Sequence, residues 1–380
     1  MKKVGFLITL SVIIVTAGLL YVWHGASDTQ RVSSAKTERA ETFTVVDHLG
    51  NKVEVPKKIE RVAVAAIYPF PSVLTVFLGS AKKIVGMSPF SMTAAKAGLL
   101  GEIFPEILNA KTDFTSGTDL NIEELLKLKP DVVFYYAGNA EWTKMLKNAG
   151  IPGIAVASNE WNCDVMRTYD EWISLLSKVF PEDDKAKQVS EYSKKVYNDI
   201  QKKVVNIKGS EKKKILFLFQ YDDQKIITSG RTFFGQSWCD AVGGKNVAEE
   251  IEVYNAKITM EQVYAWNPDV IFITNFTPAM PDDLYDNKIA GHNWSNVNAV
   301  KNKAVYKMPL GSYRSFTPGA DTPVTMMWMA QKVYPKLFAD INIEKEVKDY
   351  YGKLYGVKLT DKQIKRMYNQ NSGSAQGFKQ

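Results

Sequence analysis

The chain has 380 residues, of which 45% are hydrophobic and 23% charged, with a formal net charge of +7. That length exceeds a single ordinary core and suits two lobes, while the hydrophobic share excludes a mostly disordered chain. The positive charge sits on lysines spread along the chain, as in Lys212, Lys213 and Lys214, without the aromatic-interleaved basic stripe that nucleic-acid binding requires, so no nucleic-acid partner is expected.

Lys2 and Lys3 precede a charge-free run over residues 4–23. Lysines ahead of an apolar run hold the N-terminus inside and send the rest of the chain across the membrane. Twenty helical residues extend about 30 Å, enough for a bilayer core. Residues 1–23 therefore read as an N-terminal membrane anchor or a cleaved signal peptide. The nearest cleavage candidate, His24-Gly25-Ala26, has a bulky residue at the third position back; Ser33-Ser34-Ala35 fits better but lies far downstream. No cysteine follows the run, which argues against a lipid anchor. Both readings place the body outside the cytoplasm, and residues 24–41 form a polar linker to it.

A first lobe is expected over residues 42–163. Residues 43–46 and 52–55 read as short strands around the turn Asp47-His48-Leu49-Gly50-Asn51. Residues 61–67 form a continuous apolar strand of the kind buried on both faces. An apolar helical stretch and the strand 84–87 follow, and such alternation implies parallel sheets with crossover helices. Residues 121–134 and 259–272 then form an ungapped internal repeat at an offset of 138. Each copy opens on a capping residue, Asn121 or Thr259, with Glu124 or Gln262 three positions on to complete a capping box. Each helix stops before Pro130 or Pro268, and a buried strand begins. One helix-to-strand unit thus occurs in each half. The fold class is α/β: two similar Rossmann-like lobes with parallel sheets and a ligand cleft between them.

A long helical connector over residues 164–207 separates the lobes. Its first helix has an amphipathic pattern at Met166, Tyr169, Ile173, Leu176 and Phe180, and a second helix opens at Pro181. Two helices give a stiffer hinge than extended strands would. The second lobe covers residues 208–368, and the polar tail 369–380 reads as disordered. The two cysteines, Cys163 and Cys239, read as separate buried thiols, although an extracytoplasmic compartment would permit a bridge.

The chain resembles the class III solute-binding proteins of ABC importers, which have a helical backbone and include the periplasmic binding proteins for cobalamin, ferric siderophores and haem. The likeness rests on the opening hairpin and first strand, the paired Pro-Asp-Val units, the stretch from Thr228-Ser229-Gly230 through Trp238 to Gly243-Gly244-Lys245-Asn246, and Trp294-Ser295-Asn296-Val297 with Val305-Tyr306. It covers residues 43–365. It implies two lobes closing on a ligand with little hinge motion, a permease and its ATPase subunits as partners, and a protein that works as a monomer. It also implies that Glu123 and Glu261, which occupy the same repeat position, dock one per lobe onto permease arginines. Paired charges on one face orient a large partner; an acid in a first helical turn is also favoured by the helix dipole alone, and Glu123 stands four residues before Lys127.

Ligands of open α/β sheets bind beyond the carboxyl ends of the strands. That rule nominates Tyr68, Tyr136 and Trp161 from the first lobe and Tyr221, Arg231, Phe276, Tyr313 and Arg314 from the second. Aromatic rings supply rigid contact area and arginines a planar fork for anionic oxygens, which suits a bulky, partly anionic chelate. A ferric siderophore fits first, with cobalamin, haem or a nickel or cobalt chelate as alternatives. The three histidines, His24, His48 and His292, do not cluster, so a bare zinc or manganese site is not expected, nor is a cofactor. Met326, Met327, Trp328 and Met329 read as a packed helical face, with a thioether ligand to haem iron as the lesser alternative. An exported enzyme, a chelatase or reductase on a similar frame, is the reading from another class. No nucleophile elbow, phosphate loop or dinucleotide fingerprint supports it, so a non-enzyme is expected.

Overall fold

A computed structural model describes residues 41–117, 119–181, 185–368 and 371–375. The apolar run 4–23 and most of the linker lie outside the described residues. Among the described residues no helix is long and apolar enough to cross a membrane.

Two four-stranded parallel sheets organise the body. The first runs Ile84–Met87, Val62–Ala65, Val132–Tyr136 and Gly153–Val156; the second runs Lys245–Asn246, Lys214–Leu218, Val270–Ile273 and Val305–Lys307. Numbered along the chain within each sheet, both have the order 2-1-3-4, so the lobes share one topology. The strand residues alternate between two buried faces, which is why they read as unbroken apolar runs. Val62, Val64 and Phe134 join Ile215, Phe217 and Phe272 in a single core that runs through the connector. Ala63, Val133 and Tyr135 face a separate core in the first lobe, and Leu216, Ile271 and Ile273 face another in the second.

The internal repeat survives in atomic detail. Ile122–Lys127 and Met260–Trp266 are its helices. Lys129 and Asn267, at the same repeat position, both turn into the left-handed region, with φ of 46° and 45°. The next repeated residue but one, Asp131 or Asp269, accepts the backbone N–H that opens the first strand of its sheet, from Arg61 at 2.8 Å and from Lys214 at 3.0 Å. The Arg61 and Lys214 side chains in turn donate to the carbonyls of Leu128 and Trp266, again equivalent positions. Pro-Asp thus ends the helix and ties the third strand to the first.

Three expectations change. The capping box is complete only in the second copy, where Thr259 N–H donates to Gln262 at 3.0 Å. In the first copy Asn121 still accepts from the Glu124 N–H, but the Glu124 carboxylate pairs with Lys127, whose attraction to Glu123 is the weaker one. The second lobe also carries a three-stranded antiparallel sheet, ordered Gln220–Tyr221, Ile226–Ser229 and Asn255–Ile258. Finally, Ser372–Ala375 forms a 3-10 turn with Ser374 and Ala375 buried, where a disordered tail was expected.

The connector is two helices, Val165–Val179, capped by Asp164, and Lys185–Val204. Other ties cross between the lobes. Leu99 N–H donates to the Gly311 carbonyl at 2.9 Å, and Arg366 on the last helix, Asp361–Tyr368, donates to the Ala97 carbonyl at 2.8 Å and pairs with Glu102.

Candidate functional site

In both sheets the topological switch lies between the first and third strands, and the two switch points face one cavity of about 330 Å³. From the first lobe come Ala66, Ile67, Tyr68 and Pro69 after the first strand, and Tyr136 and Asn139 at the end of the third. From the second come Phe219 after its first strand and Phe276 after its third, joined by Phe233, Phe234 and Tyr313. Trp172, on the first connector helix, closes the space between them.

Local chemistry sets these side chains. Ala66 takes a left-handed φ of 59°, turning the chain sharply off the strand, and its N–H donates to the Ser88 hydroxyl at 3.0 Å. The Tyr136 ring folds back over Gly138, where a Cβ would lie 2.3 Å from it, so Gly138 makes that rotamer possible. Asn159 donates to the Tyr136 hydroxyl at 2.7 Å. Trp172 donates from its indole to the Ala157 carbonyl at 2.5 Å and meets Phe70 edge-on. Phe219 packs on Phe276, Phe233 and Phe316 with ring centres 4.9, 5.2 and 5.4 Å apart. Such preformed aromatic contacts hold a rigid wall. Burial raises the hydroxyl pKa of Tyr68, of Tyr136 and of Tyr313, the last opposed by Arg314, so all three line the cavity as neutral phenols.

Of the eight nominated ligand contacts, Tyr68, Tyr136, Phe276 and Tyr313 line this cavity. Trp161 and Arg231 instead line a polar groove of about 990 Å³, which adjoins the cavity at Asn159. There Arg231 sits 3.8 Å from Glu252, and Trp161 packs edge-on against His48. Trp161, Asn162 and Cys163 all hold left-handed φ near 55°, a turn between the last strand of the first lobe and the connector.

Tyr221 and Arg314 line neither space. The Tyr221 hydroxyl accepts from the Trp294 indole at 2.7 Å within the second lobe's core. Arg314 is fully buried, donates to the carbonyls of Asn275 and Phe90, and lies beneath Phe276 and Tyr313. Its fork fastens the second lobe to the first. Among the described residues that line the cavity, none has a charged side chain. The cavity is therefore aromatic, with neutral polar groups from Asn139, Ser158, Asn159 and Thr317, while Arg231 lines the adjoining groove.

Trp172, Phe219, Phe233 and Phe234 line the cavity without having been nominated from the sequence. Phe219 directly follows the strand Lys214–Leu218, and Phe233 and Phe234 follow on Arg231 and Thr232, so the strand-end rule extended by a residue or two reaches them. Trp172 carries no such signal.

Among the described residues no three His, Cys, Asp or Glu side chains converge as metal ligands. The His48 ring accepts the Ala157 N–H at 3.1 Å, His292 contacts Tyr221, and His24 lies outside the described residues. Cys163 and Cys239 are free and buried. Met326 and Met329 are fully buried in the shared core, as packing side chains.

Glu123 and Glu261 are both exposed. Each follows closely on the cleft lining, since Gly117 borders the cavity and Tyr254 the groove. Glu261 is held below the usual carboxylate range by the Thr259 hydroxyl.

The family model described as periplasmic binding protein matches residues 64–310. The molybdate-binding protein MolA of Haemophilus influenzae is 28% identical over 335 residues, covering 82% of this chain and 90% of its own. The uncharacterized ABC transporter substrate-binding lipoprotein YvrC of Bacillus subtilis is 25% identical, over 85% and 96% of the two chains. A crystal structure of a periplasmic solute binding protein from Veillonella parvula superposes with a TM-score of 0.79 at 31% identity, covering 87% of this chain and 97% of that one. These relatives are solute-binding proteins and not enzymes. The chain belongs to the periplasmic binding protein family, as the solute-binding component of an ABC importer.

Proposed function

We propose that the protein captures a metal held in an organic chelate, a ferric siderophore first, and delivers it to a membrane permease. The observation that carries this reading is the cavity where both switch points meet, walled by aromatic rings from both lobes and bare of charged side chains among the described residues. An unchelated cation would need carboxylate, imidazole or thiolate donors there. An unchelated oxyanion such as molybdate would lose hydration without gaining a cation. A chelate that has already neutralised and saturated its metal presents an organic surface, which neutral rings and a few polar groups hold well. Ligand sites commonly occupy about 300–1,000 Å³; at about 330 Å³ this cavity takes the metal-bearing part of a chelate while polar arms extend into the groove past Asn159.

Delivery uses Glu123 and Glu261, one on each lobe, as salt-sensitive contacts to basic residues of the permease. Residues 4–23 export the body and, left uncleaved, tether the monomeric receptor beside its importer.

The test is a thermal-shift series on the body from residue 41, with ferric hydroxamate and catecholate chelates, ferric citrate, a corrinoid, haem, molybdate and free metal ions. A cognate chelate raises the melting temperature in step with RT ln(1 + [L]/Kd). Stabilisation by molybdate or free ions alone, with none by any chelate, overturns the reading.

A further inference from the structure

The repeat places more than an acid on each lobe. The short helices Ile122–Lys127 and Met260–Trp266 bury equivalent residues, Leu125 and Val263, and expose equivalent residues, Glu123 and Glu261. Three positions beyond each acid stands a large apolar side chain that is also exposed: Leu126 at 46% and Tyr264 at 44%. Residues three apart share one helical face. Each lobe therefore presents an acid beside an apolar knob in the same register. Single exposed apolar residues are ordinary and need no explanation. Two at the same position of a duplicated unit, each next to an exposed carboxylate, are a matched pair. The Tyr264 hydroxyl donates to the Asn293 carbonyl at 2.7 Å, which holds its ring in place. The Lys127 ammonium makes its salt bridge to Glu124 and attracts Glu123 only more weakly, through space.

We infer that Leu126 and Tyr264 are apolar anchors of the permease-docking surface, each entering a hydrophobic socket beside the basic group that receives the neighbouring glutamate. The inference rests on the docking reading of Glu123 and Glu261. The partner is a permease with two equivalent sockets, one facing each lobe, because the duplicated receptor offers the same pair twice. The acids steer and orient the encounter, and the anchors supply contact that salt does not screen.

The test measures binding of the full chain to its purified cognate permease complex in nanodiscs, at low and high salt. Three variants are compared with wild type: L126S/Y264S, E123A/E261A and Y264F. L126S/Y264S should weaken docking about tenfold or more at both salt concentrations. E123A/E261A should weaken it chiefly at low salt. Y264F keeps the ring's apolar area and loses only its exposed bond to Asn293, so it should retain most of the docking that L126S/Y264S loses, and all three should stay folded. Normal docking by L126S/Y264S, with docking lost in E123A/E261A, overturns the anchors and leaves the acids standing. Normal docking by both double variants removes the docking reading itself. Wild-type self-association that L126S/Y264S abolishes would assign the surface to a second copy of the chain and overturn the inference.

Discussion

Acidification should loosen the first lobe through His48. Its ring accepts the Ala157 N–H, so it must be neutral at Nδ1, and it supports Trp161 at the groove. Burial holds its pKa down at about 4, from 6.5, with Lys178 adding to the effect and Asp47 and the backbone at Glu171 opposing it. The folded state therefore binds fewer protons than the unfolded state between those values. His48 contributes its full stability above pH 6.5, and that contribution is lost as pH falls towards 4. At about 1.4 kcal/mol per pH unit the gap is worth roughly 3 kcal/mol in all, of which about 2 kcal/mol is lost between pH 7 and pH 5. Other carboxylates titrate near the lower end, so the comparison needs a variant. His48→Asn places an amide oxygen where Nδ1 accepts its hydrogen bond and carries no titrating proton. Urea unfolding of both proteins at pH 7 and pH 5 should show wild type losing about 2 kcal/mol more than the variant. Parallel losses would refute the assignment of a half-buried neutral imidazole to this position.

Gly230→Ala should destabilise the protein by about 1–3 kcal/mol or more, because the new Cβ would lie 2.1 Å from the Val253 carbonyl and 2.6 Å from that of Ile251, both backbone atoms. Urea denaturation measures this, and a midpoint matching wild type would contradict it. Cys163 and Cys239 should resist a maleimide in the native state and react in denaturant. Burial pushes the Cys163 thiol up to about 11 and Cys239 well above the usual thiol range. Rapid native labelling, or a gel mobility that depends on reductant, would contradict their state as free, buried thiols.

The duplicated architecture was legible because its signals are local. Asn121 and Thr259 as caps and proline as a stop act within about ten residues, and the fold reuses them at the same offset. The identity of the cavity wall was only half legible. Tyr136 ends its strand and Tyr68, Phe276 and Tyr313 lie in the loops after theirs, so the strand-end rule found them. Arg314 follows a strand as well, but its loop folds inward to meet carbonyls from both lobes, and Tyr221 lies in a short antiparallel strand and meets Trp294. Those partners are distant in sequence, and no local pattern announces them. Trp172 was invisible for the opposite reason. It lies beside the apolar stripe of a helix, where an aromatic ring reads as core packing, and only the meeting of the lobes turns it into a cavity wall.

The central claim is that solute is held where the two lobes meet. It is tested most directly by calorimetric titration of the stabilising chelate into wild type, Tyr136→Ala and Phe276→Ala, one substitution from each lobe. Each variant should weaken binding about tenfold or more while the Kd of wild type stays at a single site. Unchanged affinity in both variants, with native melting behaviour, would place the solute elsewhere and contradict the account.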